Sequence, residues 1–295
     1  MTLWADQIPQ RPKLRAKPLP KMTRWPTSVS RPPLQAVSPP TPIGRTVSRW
    51  PGLALAAALA AAGCSASEGA SEQRASNAQA GPTGLFTTLP ILWQEADDIR
   101  EHLHGGAPVH WAKRALQNQG EVRALNTLSA DPPPLAGLAL VIMAQPRVLS
   151  PSENVALDDW VRRGGRVLLF ADPMLTGNSR FSLGDKRRPQ DVVLLSPILA
   201  RWGLRLEFDD AQPVGQRDIA VPGGSLPVNL PGRLALVGAA RKCRILAGGI
   251  AAQCRIGKGA ALIIADAALF EPALGNEAQR RGTLLDTLIA IARTT

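Results

Sequence analysis

Cysteine, histidine and long apolar runs are scarce in this chain of 295 residues. Three cysteines are too few for a disulfide scaffold or a zinc ribbon. No apolar run reaches the length of about 18 residues that a conventional transmembrane helix needs. The three histidines, His102, His104 and His110, lie close together, but residues two apart on a helix point in different directions. They read as exposed side chains at a helix end and a loop, and no metal is expected. The phosphate-loop frame Gly-x-x-x-x-Gly-Lys-Ser/Thr is missing, so Gly257-Lys258-Gly259 is expected to be a tight turn entering a strand. There is no Gly-x-Ser-x-Gly elbow, and no histidine near a serine or cysteine nucleophile. Neither a catalytic residue nor a cofactor is expected. With 26 glycines and 45% hydrophobic residues, a collagen and a wholly disordered chain are also excluded.

Positive charge is abundant, and its location decides its meaning. The net charge is +11, but nine of the cations (Arg11, Lys13, Arg15, Lys17, Lys21, Arg24, Arg31, Arg45 and Arg49) stand in residues 1–63 beside a single acid, Asp6. The remainder carries only +3, too little for a groove that follows phosphate backbones, so no nucleic-acid partner is expected. Residues 1–51 are rich in Pro, Arg and Ser without apolar periodicity and read as a disordered leader. Residues 52–63 have the length of a signal-peptide core. Ala61-Ala62-Gly63-Cys64 resembles a bacterial lipobox, although Ala61 stands where leucine is usual. Cys64 is then the lipidated first residue of the mature protein, and residues 64–84 are its flexible tether. The leader is longer than a signal peptide needs, so an internal start at Val47 or Met22 is expected. The implied location is the cell envelope, facing the periplasm, with the outer membrane slightly favoured because Ser65 follows the cysteine.

Residues 85–295 read as one α/β domain. Leu89-Pro90-Ile91-Leu92-Trp93 is a short apolar run, followed by helical stretches over 95–104 and 111–119 and a strand over 122–128. Leu138-Ala139-Leu140-Val141-Ile142-Met143-Ala144 is apolar throughout, as in a strand buried on both faces. Ser150-Pro151-Ser152-Glu153 is a capping box with proline at the first helical position, and Gly164-Gly165 closes the helix. Arg166-Val167-Leu168-Leu169-Phe170-Ala171 is a second buried strand. Strand, helix and strand in this order form a parallel crossover unit. A helix over 191–202, a strand over 204–208, a strand over 260–265 and a closing helix over 277–293 complete a doubly wound, mostly parallel sheet. An antiparallel hairpin excursion is expected near 213–256. In a two-residue hairpin centred on Gly248-Gly249, Cys243 and Cys254 stand directly opposite, with Cα atoms about 5.5 Å apart. Either a disulfide, which an oxidising periplasm permits, or two reduced half-buried thiols fits this register.

Asp172 and Asp266 each follow a buried strand, where ligands bind in open α/β sheets. Behind Asp172 comes a polar loop with Thr176, Ser179, Arg180, Asp185, Arg187 and Arg188, a mixture suited to a ligand. The same residues also suit helix caps and surface ion pairs.

Leu149-Ser150-Pro151-Ser152-Glu153, Leu157-Asp158-Asp159-Trp160-Val161, Gly164-Gly165-Arg166-Val167-Leu168 and Ala171-Asp172-Pro173 resemble the core of the gliding-motility-type auxiliary proteins of ABC transport systems. Leu195-Ser196-Pro197-Ile198-Leu199, Trp202-Gly203-Leu204 and Gly257-Lys258-Gly259 with Ala265-Asp266 are similar to later parts of that group. The resemblance implies a fold related to class I glutamine amidotransferases and flavodoxins. An active amidotransferase would carry an elbow cysteine with a downstream His and Glu; Cys243 and Cys254 fit no such place, and no histidine follows His110. Together with the lipobox and the missing nucleophile, the resemblance implies a non-catalytic, lipid-anchored periplasmic protein, an accessory or binding component of an ABC-type transport or cell-envelope system, with an ABC ATPase and permease as its partners. The alternatives are a degenerate hydrolase or transferase using Asp172 and Asp266 on a saccharide or peptide, and a lipoprotein binding a small anion through Arg180, Arg187 and Arg188.

Overall fold

The computed structural model describes residues 81–93, 109–238 and 242–294. Cys64 with its lipobox, the leader and tether, the helix expected over 95–104, and His102 and His104 lie outside the described residues. Among the described residues no helix is long and apolar enough to cross a membrane.

The order of elements is β1 (Thr83–Thr87), α1 (Trp111–Asn118), β2 (Val122–Ala124), β3 (Leu140–Ala144), α2 (Pro151–Arg162), β4 (Arg166–Phe170) and α3 (Ser196–Arg201). Then follow β5 (Leu204–Glu207), β6 (Arg217–Val221), β7 (Gly224–Val228), β8 (Arg233–Leu236), β9 (Cys243–Leu246), β10 (Ala251–Ile256), β11 (Gly259–Ile264) and α4 (Gly275–Thr294). The main sheet runs β2-β1-β3-β4-β11-β10-β9. Its first five strands are parallel, and β10 and β9 add an antiparallel edge. This is the mostly parallel α/β sheet that the apolar runs predict.

Strict alternation divides the core. Val141, Met143, Val167, Leu169, Ala261 and Ile263 face α2 and α3 in one apolar cluster. Leu140, Ile142, Leu168, Phe170, Leu262 and Ile264 face α1 and α4 in the other. Because both faces of β3, β4 and β11 are covered, β3, β11 and all of β4 after Arg166 carry no polar side chain. The capping box forms as predicted: the Ser150 hydroxyl accepts from the Glu153 N–H, and the Glu153 carboxylate accepts from the Ser150 N–H. That carboxylate is buried and also takes Arg147, the Thr127 hydroxyl and the Leu128 N–H. Arg147 holds it well below the ordinary glutamate range. Gly259 is required by close approach, since a Cβ there would lie 2.1 Å from the Val161 carbonyl oxygen.

Several boundaries differ from expectation, each for a local reason. The first strand is Thr83–Thr87 rather than the apolar run at 89–93, so ordered structure begins ahead of residue 85. Its glycine hides it in the sequence: Leu125 and Leu138 crowd Gly84 so closely that a Cβ would sit 2.7 Å from one and 2.8 Å from the other. β2 stops at Ala124 instead of 128, because Thr127 and Leu128 turn to bind Glu153. The helix expected from 191 begins at Ser196, with Pro197 in its first turn, and Leu194 is exposed. The excursion also begins earlier, with β5, which leaves the main sheet to pair with β8; β6 and β7 form a second small antiparallel sheet. β9 and β10 are not excursion but the edge of the main sheet. His110, expected to be exposed, is half-buried as the N-cap of α1: Nδ1 accepts from the Ala112 N–H, and Nε2 lies 3.0 Å from the Phe270 carbonyl. Burial lowers its pKa, which keeps the ring neutral in that role.

Gly257-Lys258 forms a tight turn into β11, pairing Ile256 with Gly259. β9 and β10 are joined by residues 247–250 rather than by a two-residue turn, yet the register still pairs Cys243 with Cys254. Their Cα atoms are 4.0 Å apart and their sulfurs are bonded. Closing a loop with a sequence separation of 11 stabilises the fold by about 2.7 kcal/mol on the chain-entropy scale. Urea titration of oxidised and dithiothreitol-reduced protein is expected to show a loss of that order; equal midpoints would mean that the bond contributes nothing.

Candidate functional site

In a doubly wound sheet with this order of its parallel strands, the crevice for ligands opens at the carboxyl ends of β1 and β3, where the winding reverses. Here the chain's own groups fill it. Gln145, directly after β3, is fully buried and holds a φ of 43°, in the left-handed region that side chains other than glycine seldom adopt. Its Nε2 donates to the Asp172 carbonyl (3.0 Å) and the Gln190 carbonyl (2.8 Å), and its Oε1 accepts from the Asp172 N–H (2.9 Å). From β1, the Thr88 hydroxyl donates to the Gln145 carbonyl and accepts from the Gln190 N–H at 3.1 Å. The loop after β4 is thereby folded back across the mouth of the crevice.

Asp172 and Asp266 lie side by side at the ends of β4 and β11, 0% and 2% exposed. Each oxygen accepts one main-chain N–H: Met174 and Ala267 on Asp172, Ala268 and Asn229 on Asp266. The two carboxyls thus clip together the loops after β4, β7 and β11. Burial raises both pKa values, to about 6 for Asp172 and about 8 for Asp266, and the charge of Asp172 adds to the rise at Asp266. Main-chain donors on all four oxygens give both carboxyls the geometry of loop clips.

The predicted polar loop is distributed over several tasks. The Thr176 hydroxyl donates to Glu271 at 3.0 Å, and the Ser179 hydroxyl accepts from the Phe181 N–H. Arg187 pairs with Asp185, a half-buried carboxylate that the guanidinium holds down at about 2, and lies 4.2 Å over the Phe181 ring. Arg188 pairs with Asp191 and donates to the Phe181 carbonyl. The structure therefore brings Asp172, Asp266 and Thr176 to one end of the sheet, with Arg187 and Arg188 turned to acids of their own loop.

Gln145, Glu271 and Arg281 organise this end and carry no sequence signal. Arg281 is buried and donates from Nη1 to the carbonyls of Ala268, Leu269 and Glu271, while its Nε holds Glu277. A further buried acid explains the Asp158-Asp159-Trp160 motif. Asp158 accepts from Arg162 (2.8 Å), Arg201 and the Trp202 indole (3.1 Å), tying α2 to α3. Burial pushes this carboxyl up, but those donors hold it below its ordinary value. Trp160 in turn covers Gly165, where a Cβ would lie 2.4 Å from the indole. The motifs that carry the resemblance are thus devices of construction.

Residues 111–222 match the family described as ABC-type uncharacterized transport system. The resemblance to auxiliary proteins of ABC transport systems is therefore shown over that stretch, which includes the Gln145 plug, the Asp158 tie and the polar loop. No curated protein matches the chain in sequence. Among solved structures, an exo-β-1,4-mannosidase from Opitutaceae bacterium strain TAV5 is 13% identical with a TM-score of 0.41, over 72% of this chain and 35% of its own. A β-galactosidase from Bacillus circulans sp. alkalophilus is 15% identical with a TM-score of 0.41, over 71% and 30%. A ThuA-like protein from Parabacteroides merdae ATCC 43184 is 12% identical with a TM-score of 0.37, over 72% and 90%. The chain spans about a third of the two glycosidases. These likenesses are too distant to bear on activity.

Gln145→Ala removes the partner of the buried Asp172 N–H and of the part-buried Gln190 carbonyl, while the Asp172 carbonyl keeps the Val193 N–H, and a loss of about 1–3 kcal/mol is expected. Chemical denaturation measures it; a loss below 1 kcal/mol, on the scale of a single neutral hydrogen bond, would show that the plug is dispensable. Because the folded state raises both aspartate pKa values, it binds more protons than the unfolded chain between about pH 4 and pH 8. Their contribution to stability is complete below about pH 4 and is lost as pH rises through that range. The urea midpoint is expected to be lower at pH 8.5 than at pH 5, with a smaller difference in Asp266→Asn. A midpoint that rises with pH would contradict the assignment.

Proposed function

We propose that this chain is a non-catalytic auxiliary component of an ABC-type transport system, held on the periplasmic side of a bacterial envelope by lipid on Cys64. The observation that carries the transport reading is the family match over residues 111–222. The absence of catalysis is supported by geometry. The crevice where this architecture binds ligands is filled by Gln145 and the loop after β4, and the two acids beside it are committed to main-chain donors. The anchor rests on Ala61-Ala62-Gly63-Cys64 after an apolar run of signal-peptide length. The partners are an ABC ATPase and permease, which an anchored domain of this kind would contact on the periplasmic face.

The test is purification of the full-length protein from detergent-solubilised native membranes. An ABC ATPase and its permease are expected to co-purify, and the protein is expected to incorporate labelled palmitate, with the label lost in Cys64→Ala. Repeated recovery without any transporter subunit would sink the transport reading. An unlabelled wild-type chain would sink the anchor.

A further inference from the structure

We propose that the rim of loops at the carboxyl end of the sheet is a second membrane contact, one that rests among anionic phospholipid headgroups. Loops leaving β1, β4 and β11 expose Trp93, Met174, Leu183 and Leu274 there, with Leu183 81% and Leu274 78% accessible. These loops are joined to one another. Trp93 and Phe181 stand 6.1 Å apart between ring centres, the Arg187 guanidinium covers Phe181, and Thr176 is bonded to Glu271.

The charge around Leu183 is of one sign. Residues 180–188 hold Arg180, Lys186, Arg187 and Arg188 against the single acid Asp185, a net +3 equal to the whole excess of the chain after Gly63. Just beyond, Asp191 is engaged by Arg188. An exposed leucine two residues from Phe181, on a loop with an excess of cations, complements a surface that is anionic outside and apolar beneath. A protein partner is less well matched, because lysine and scattered charge are depleted from the cores of protein interfaces and the leucine protrudes rather than lining a hollow.

The inference deepens the anchored reading and rests on it for placing a bilayer within reach. The chain enters at the amino end of β1, opposite the rim. The 18 residues from Cys64 to Gly81 can extend about 60 Å, against about 17 Å for a five-residue strand. A lipid on Cys64 and a rim at the far end can therefore meet the same membrane.

The test uses full-length protein with Cys64→Ala. With Cys243 and Cys254 bonded, one thiol is then introduced for an environment-sensitive nitrobenzoxadiazole label, at Leu183→Cys or, as a control at the amino end of β3, at Ala136→Cys. On vesicles of phosphatidylethanolamine and phosphatidylglycerol, a several-fold rise and blue shift of emission are expected at position 183 and none at 136. The rise is expected to vanish on phosphatidylcholine vesicles, at high salt and in Lys186→Glu. No change at 183, or equal change at both positions, would overturn the proposal; the latter would assign binding to the basic leader. A response at 183 only on adding solubilised transporter would make the rim a protein-docking surface instead, and would also overturn it. Since neither lipid on Cys64 nor a transporter is present in the vesicle assay, its failure is distinct from failure of the anchored-auxiliary reading.

Discussion

Four main-chain N–H groups held by two buried aspartates are the constraint on which the carboxyl end of this protein depends. Asp172 and Asp266 join the loops after β4, β7 and β11 at one point, and Gln145 adds the loop end around Gln190. A parallel sheet normally leaves its carboxyl end open because the crossing helices splay there. In this chain the splay is closed from inside by polar groups with few bonds to spare. What other sheets of this kind give to a ligand is here spent on internal hydrogen bonding.

The consequence is a division of labour between interior and rim. Asp172 and Asp266 are interior and hold the frame, while Arg187 and Arg188 lie on the loop beyond it, paired with Asp185 and Asp191. Arg187 and Phe181 form a rigid, charged, partly aromatic projection on that frame.

Much of the frame was legible because burial on both faces leaves an unmistakable pattern. β3, α2 and β4 were readable almost to the residue, since an apolar run, a capping box and a double glycine each have one physical meaning. The register of Cys243 against Cys254 was readable from symmetry about a glycine pair, although the turn itself is longer. β1 was not, because Gly84 replaces an apolar residue where two leucines need room. Neither was Gln145, since a glutamine outside any motif gives no sign that its amide will bridge three backbone groups. Asp172 and Asp266 were located correctly at strand ends, but sequence alone left open whether they face a ligand or the backbone; only the positions of Met174, Ala267, Ala268 and Asn229 separate the two.

The bonded pair Cys243–Cys254 lies between the outermost strand of the main sheet and its neighbour. A border strand carries backbone groups with no mate on one side, and such strands tend to slide or to trade places with an identical strand of another molecule. Covalent attachment forbids both, because a slide by one position would turn every side chain of β9 to the wrong face and the sulfurs could not follow. Wherever the chain folds beside copies of itself, that staple acts as insurance against tangled dimers.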